Sequence, residues 1–193
     1  MAAYFCALMQ VCGDAYAEAP SLGILGAMDL RRYLPVAPSR SICNLSVAYE
    51  LPLSPACCKG MGAALPAVSE AMREMKEGKF GLGSTVLYER LYAGGAGAVK
   101  AFMDGTAKEY RLTGKKNPFV SNVGIIPAAS TAFRHGEEGM PLEVTAAYIT
   151  TREAYPPGIG AYVSNYRGEM MVTLPYCTDA HNPEDIRALA DAM

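Results

Sequence analysis

The sequence predicts an α/β protein of two layers, a mixed β-sheet with helices packed on one face. Three observations carry that reading. Apolar residues recur at helical spacing in several stretches, alternate or run together over strand-length stretches between them, and the two kinds are interleaved along the chain. With 193 residues, 51% of them hydrophobic and 19% charged, the chain is long enough to bury one substantial core and has the balance of a globular protein.

The chain opens with a helical stretch from about Ala3 to Ala17 that lacks an N-capping residue, as if the structure began partway through an element. An apolar strand follows from Leu22 to Met28, then the loop Asp29-Leu30-Arg31-Arg32-Tyr33-Leu34-Pro35. Alternation from Asn44 to Leu51 marks a second strand. Pro55 to Glu77 reads as a helix, because Leu65, Val68, Met72 and Met75 recur every three or four residues with Glu70, Arg73 and Glu74 opposite them, and Gly78 ends it. The stretch from Ser84 to Tyr110 is also helical, loosened at Gly94-Gly95-Ala96-Gly97. No strand precedes those glycines and no Lys-Ser/Thr pair follows them, so they suit close packing or a break between helices rather than a phosphate loop.

The last third is mostly strand. Pro118 to Ile126 is one, and Leu142 to Thr150 is a second, with Leu142, Val144, Ala146 and Tyr148 on one face. Gly158 to Tyr166 and Glu169 to Tyr176 form a hairpin around Arg167-Gly168. Asn182-Pro183-Glu184-Asp185 starts the closing helix, with Asn as cap, Pro in the first turn and acids at the positive helix end. No repeat, low-complexity tract or charge block divides the chain. Residues 1–193 therefore read as a single unit, incomplete at both ends, since the first helix is uncapped and the last residue falls within a helix.

Composition removes several function classes. A net charge of −2 gives no electrostatic footprint for nucleic acid or an anionic membrane. No apolar run reaches bilayer-spanning length, and the opening residues lack the basic leader of a secretory signal. The six cysteines (Cys6, Cys12, Cys43, Cys57, Cys58 and Cys177) contain no Cys-x-x-Cys pair and no His at zinc-ligand spacing, so no metal site is expected. They read as buried free thiols of a cytoplasmic protein.

Three segments together resemble a known superfamily. The first is Asp29-x-Arg31 followed by Pro35 and Asn44; the second is Ser121-Asn122-Val123-Gly124; the third is Tyr166-Arg167-Gly168 at the final hairpin. They resemble, in order, the "Val-Asp-x-Arg … Pro … Gly-Asn", "Ser-Asn-x-Gly" and "Tyr-x-Gly" segments in the second half of chloramphenicol-acetyltransferase-like acyltransferases. That superfamily includes peptide-synthetase condensation domains and alcohol O-acetyltransferases. Cys43 stands where the family usually has Gly, and Phe133 to Met140 lacks the Asp-Phe-Gly-Trp-Gly motif of the plant members.

The resemblance implies one of two similar α/β halves enclosing a tunnel, with acyl transfer from acyl-CoA or an acylated carrier protein to a hydroxyl or amine. The general base of that chemistry belongs to a His-His-x-x-x-Asp-Gly motif in the first half. This chain has only His135 and His181, neither in such a motif, so no catalytic residue is assigned. Ser121 and Asn122 become candidates for polar contacts in the tunnel, since a hydroxyl and an amide both donate to a carbonyl oxygen. As a plain alternative, Asn122 closes a turn at the strand end. Asp29, Arg31 and Asn44 form the structural motif, with Asp29 and Arg31 an ion pair or loop anchor. Two partners are open: an amino-terminal half bearing the catalytic His, or a second copy in a non-catalytic homodimer that covers the face of the missing half.

Other chemistries find no support in the residues. There is no Gly-x-Ser-x-Gly elbow. Cys57-Cys58 lacks a His or Asn to make a cysteine nucleophile and reads as packing. Glu137, Glu138 and Glu143 are separated by Gly and Pro, which gives no fixed carboxylate pair.

Overall fold

The computed structural model describes residues 1–16, 22–34, 45–78, 81–113, 118–131, 133–134, 141–151, 153 and 158–193. In chain order the elements are α1 (Ala2–Tyr16), β1 (Leu22–Asp29), β2 (Ser46–Leu53), α2 (Met61–Glu77), α3 (Leu82–Ala93), α4 (Gly95–Thr113), β3 (Phe119–Ile125), β4 (Phe133–Arg134), β5 (Pro141–Leu142), β6 (Gly160–Tyr166), β7 (Glu169–Thr173) and α5 (Pro183–Ala192). Five strands join one sheet in the order β2-β1-β3-β6-β7, and β4 pairs separately with β5. β1 is antiparallel to β2 and parallel to β3, β3 is parallel to β6, and β6 is antiparallel to β7. Parallel neighbours need a long crossover, and α2, α3 and α4 lie within the one that joins the β1-β2 pair to β3. The expected mixed sheet with helices on one face is the observed architecture.

The core lies between that face and three helices. Tyr4, Phe5 and Leu8 of α1, Ala64 and Val68 of α2, and Ile186 and Leu189 of α5 pack with Ile24, Leu51, Val120 and Ala161 of the sheet, all buried. Burying one such large apolar side chain contributes roughly 1.5–3 kcal/mol. Asn182 caps α5 by accepting from the Glu184 backbone N–H at 3.1 Å. The β6-β7 hairpin turns through Arg167 (φ 53) and Gly168 (φ 88), the left-handed pair that matches the twist of the flanking strands. The helical stretch beginning at Ser84 is two helices, α3 and α4, broken at Gly94.

Three expectations change. The helix expected from Pro55 is a short 3₁₀ turn, Pro55–Cys58, capped by Ser54; α2 starts only after Gly60. On α2, Val68, Met72 and Met75 face the core as expected, joined by buried Ala64, and Leu65 alone of the expected stripe is exposed. The strand expected from Leu142 to Thr150 is also absent beyond Leu142. The segment after it is instead held against β6 and β7 by side chains. Tyr166 Oη donates to Val144 O at 3.0 Å, Thr173 Oγ1 donates to Ile149 O at 2.6 Å, and Arg167 pairs with Glu143 at 2.6 Å. The alternating set is not a covered face: Leu142, Ala146 and Tyr148 are exposed, while Val144, Ala147 and Ile149 are half-buried. Cys6, Cys57 and Cys177 are free thiols, only partly buried. Among the described residues no helix is long and apolar enough to cross a membrane.

Candidate functional site

The site begins with an irregularity in β3, the middle strand. Asn122 pairs with Val163 and Gly124 with Ser164, so Val123 is an extra residue bulged out of the ladder. Gly124 has φ +79, a conformation that glycine adopts at little cost and that favours it in this kind of bulge. Asn122 Oδ1 accepts the Gly124 backbone N–H at 2.9 Å, which fixes the side chain and directs the two Nδ2 hydrogens elsewhere.

Strand side chains alternate between faces, so Val120 and Asn122 share the helix-covered face and Ser121 lies on the other. The two residues that the sequence paired as tunnel candidates therefore do not meet. On the face of Asn122 there is a cavity of about 540 Å³. Val120 and Asn122, Ala161 and Val163, and Met170 and Val172 form its sheet wall from β3, β6 and β7. Tyr4 of α1 and Val68 and Met72 of α2 close it from the helix side. Tyr49 also lines it and directs its hydroxyl toward Met72 Sδ at 3.9 Å, with burial pushing the phenol pKa up.

The cavity has a dry end and a wet end. Tyr4, Val68, Val120 and Ala161 are buried, whereas Asn122 is exposed and Met170 is 70% exposed. Beside the mouth, Ile125 and Met170 are both register partners of Asn165, and Ile125 is 76% exposed. The rim is thus apolar with amides set into it. An enclosed apolar space with one fixed amide donor at its opening suits a ligand with an apolar tail and a neutral carbonyl head.

The Asp29 motif lies apart from this cavity. Asp29 Oδ1 accepts from the Arg31 backbone N–H at 2.9 Å and from Arg31 Nη1 at 3.2 Å, capping the 3₁₀ turn Leu30–Tyr33. Leu30 of that turn borders a second cavity, about 430 Å³, with Val47, Thr85, Tyr88 and Tyr92 among its lining. Asn44 lies outside the described residues, as do Pro35, His135, Glu137 and Glu138. His181 sits in the turn before α5, with its backbone N–H bonded to Cys177 O at 3.0 Å.

Sequence reasoning did not pick out Ala161, Val163, Met72 or Met170 as cavity residues. The alternation within Gly160–Tyr166 was the available signal, since it puts Ala161 and Val163 on one face and Tyr162 and Ser164 on the other. It also missed Glu153 and Tyr162. Tyr162 Oη donates to Glu153 Oε1 at 2.6 Å. Burial raises the Glu153 pKa against that hydrogen bond, and burial together with the adjoining carboxylate raises Tyr162.

No protein-family model matches the sequence, and no curated protein matches it. Solved structures do. Trichothecene 15-O-acetyltransferase from Fusarium sporotrichioides superposes with a TM-score of 0.66 at 14% identity, covering 99% of this chain and 38% of that one. This is an acyltransferase-like fold. The epimerization domain from the third module of tyrocidine synthetase B has the same relation to it, with a TM-score of 0.58, 13% identity and coverage of 99% and 39%. The chain thus spans little more than a third of the structures it matches, and the acyltransferase-like fold it shares with them is a part of theirs. The resemblance read from the three sequence segments holds at the level of fold.

Proposed function

We propose that this chain is one part of an acyltransferase-like protein, supplying one wall of the acyl-thioester site and depending on a second half for its catalytic base. Asn122, fixed by the β3 bulge at the wet end of an apolar cavity, is the observation that carries the reading. In acyl transfer a base removes the acceptor proton, the freed oxygen or nitrogen attacks the thioester carbonyl carbon, and negative charge collects on the carbonyl oxygen. Under this reading the Asn122 amide donates to that oxygen, and the thiolate leaves with the proton returned by the base. Nothing in this chain fits the base: the sequence holds two histidines, and neither stands in a His-His-x-x-x-Asp-Gly motif. Acyl-CoA or an acylated carrier protein is the donor under this reading. Ser121, on the other face of β3, would act only on a partner approaching from that side.

The exposed rim of Ile125 and Met170 favours a protein surface that is covered in use, either by the His-bearing half or by a second copy of this chain in a non-catalytic dimer. The two are separated by mixing the chain with a first half that carries the His motif and measuring thioester-dependent acyl transfer. Asn122→Leu is expected to lower kcat/KM in the mixture by roughly 10²-fold, the scale of a lost oxyanion donor. Unchanged kcat/KM would remove Asn122 from the reaction. A chain that sediments as a dimer and never joins the first half would favour the binding role.

A further inference from the structure

Resting on that acyl-thioester reading, we propose that the cavity under β3, β6 and β7 takes the tail of a medium-length, straight-chain acyl group, with its carbonyl at Asn122. The cavity's 540 Å³ or so lies within the ~300–1,000 Å³ of pockets that enclose small organic ligands. An acetyl group would leave most of it empty. Direction comes from the exposure gradient. Val120 and Ala161 at the dry end accept only hydrocarbon, and Asn122 at the mouth offers hydrogens to a carbonyl.

The head group is neutral by the same reasoning. Among the described residues no charged side chain lines the cavity, and burial lowers the pKa of the Met1 amino group at its edge, so a carboxylate or phosphate would lose hydration with little counter-charge to gain. A neutral thioester carbonyl is satisfied by the Asn122 amide. The shape of the tail follows from the walls. Met72 and Met170 are unbranched and polarizable, and side chains of that kind adjust to a linear chain.

Calorimetric titration of the whole chain with N-acetylcysteamine thioesters of straight-chain acids, from butyryl to dodecanoyl, reads this pocket without turnover or a second half. Affinity is expected to rise about fourfold per added methylene until the cavity is filled, then to level off. Ala161→Phe puts a ring into the dry end and is expected to abolish that rise. Met170→Trp narrows the mouth at an exposed position, where the fold is little disturbed, and is expected to weaken the longer thioesters about tenfold. Affinity independent of chain length, or unaltered by Met170→Trp, overturns the proposal. Chain-length-dependent binding without transfer in any mixture keeps the pocket and removes the acyl-transfer reading; transfer with flat titrations does the reverse.

Discussion

Ser164 is 2% exposed, and its Oγ has no hydrogen-bond partner among the described residues. A buried hydroxyl left unpaired costs about 1–3 kcal/mol. Ser164→Ala is therefore expected to leave stability unchanged or raise it by about 1 kcal/mol, measured as the urea midpoint at constant slope. A clear loss would mean that Oγ has an acceptor in solution. Glu153, close by on Tyr162, makes a pH prediction. Its carboxyl titrates above the ordinary 4.5 in the folded chain because it is buried, so the folded state holds this proton more tightly than the unfolded chain. Its contribution to stability accordingly falls as pH rises from about 4.5 through the raised value. Glu153→Gln keeps the oxygen that accepts from Tyr162 and loses the titration. Relative to wild type, the variant should gain stability as pH rises above about 4.5, and urea midpoints that stay parallel would contradict this. At this scale the sequence was only partly informative. Ser121 and Asn122 have suitable chemistry, but adjacent residues in a strand face opposite ways, and only the register with β6 shows that the cavity belongs to Asn122.

Elements were legible where a local signal ends or begins them. The Asn-Pro-Glu-Asp start of α5 is capped as its residue types require, and Asn182→Ala is expected to cost about 1 kcal/mol of stability in denaturant unfolding. No loss would mean that packing of Ile186 and Leu189 alone fixes this helix end. The Arg167-Gly168 hairpin was legible for the same kind of reason. The segment from Leu142 onward was not, because its alternation marks no buried face: Leu142, Ala146 and Tyr148 are exposed. What holds it in place is long-range, the hydrogen bonds donated by Tyr166 and Thr173. The β3 bulge was equally hidden. Gly124 is visible in the sequence, but its left-handed φ and the offset it places between Asn122 and Ser164 arise from pairing with a strand some forty residues away. Gly124→Ala is expected to destabilise by roughly 1–2 kcal/mol and, by moving Asn122, to weaken thioester binding as well. Normal binding in that variant would separate the bulge from the site.

For the whole molecule, the interleaving of helical and strand stretches gave the layered α/β class, and three short segments in order pointed to the acyltransferase-like fold. What lies beyond the fold depends on surfaces that no periodicity reports. Ile125 and Met170 are apolar and exposed beside the cavity mouth, and their being neighbours follows only from both pairing with Asn165. The chain covers 38% of the acetyltransferase structure it resembles, and the histidine motif of such enzymes is absent from its sequence. The measurement that bears most directly on this account is acyl transfer from a panel of acyl-CoA donors to alcohols, first by the chain alone and then after adding a half that carries the His motif. The expected result is no turnover above buffer alone and turnover in the mixture. Turnover by the chain alone, abolished by His135→Ala or His181→Ala, would contradict it and return the catalytic base to this chain.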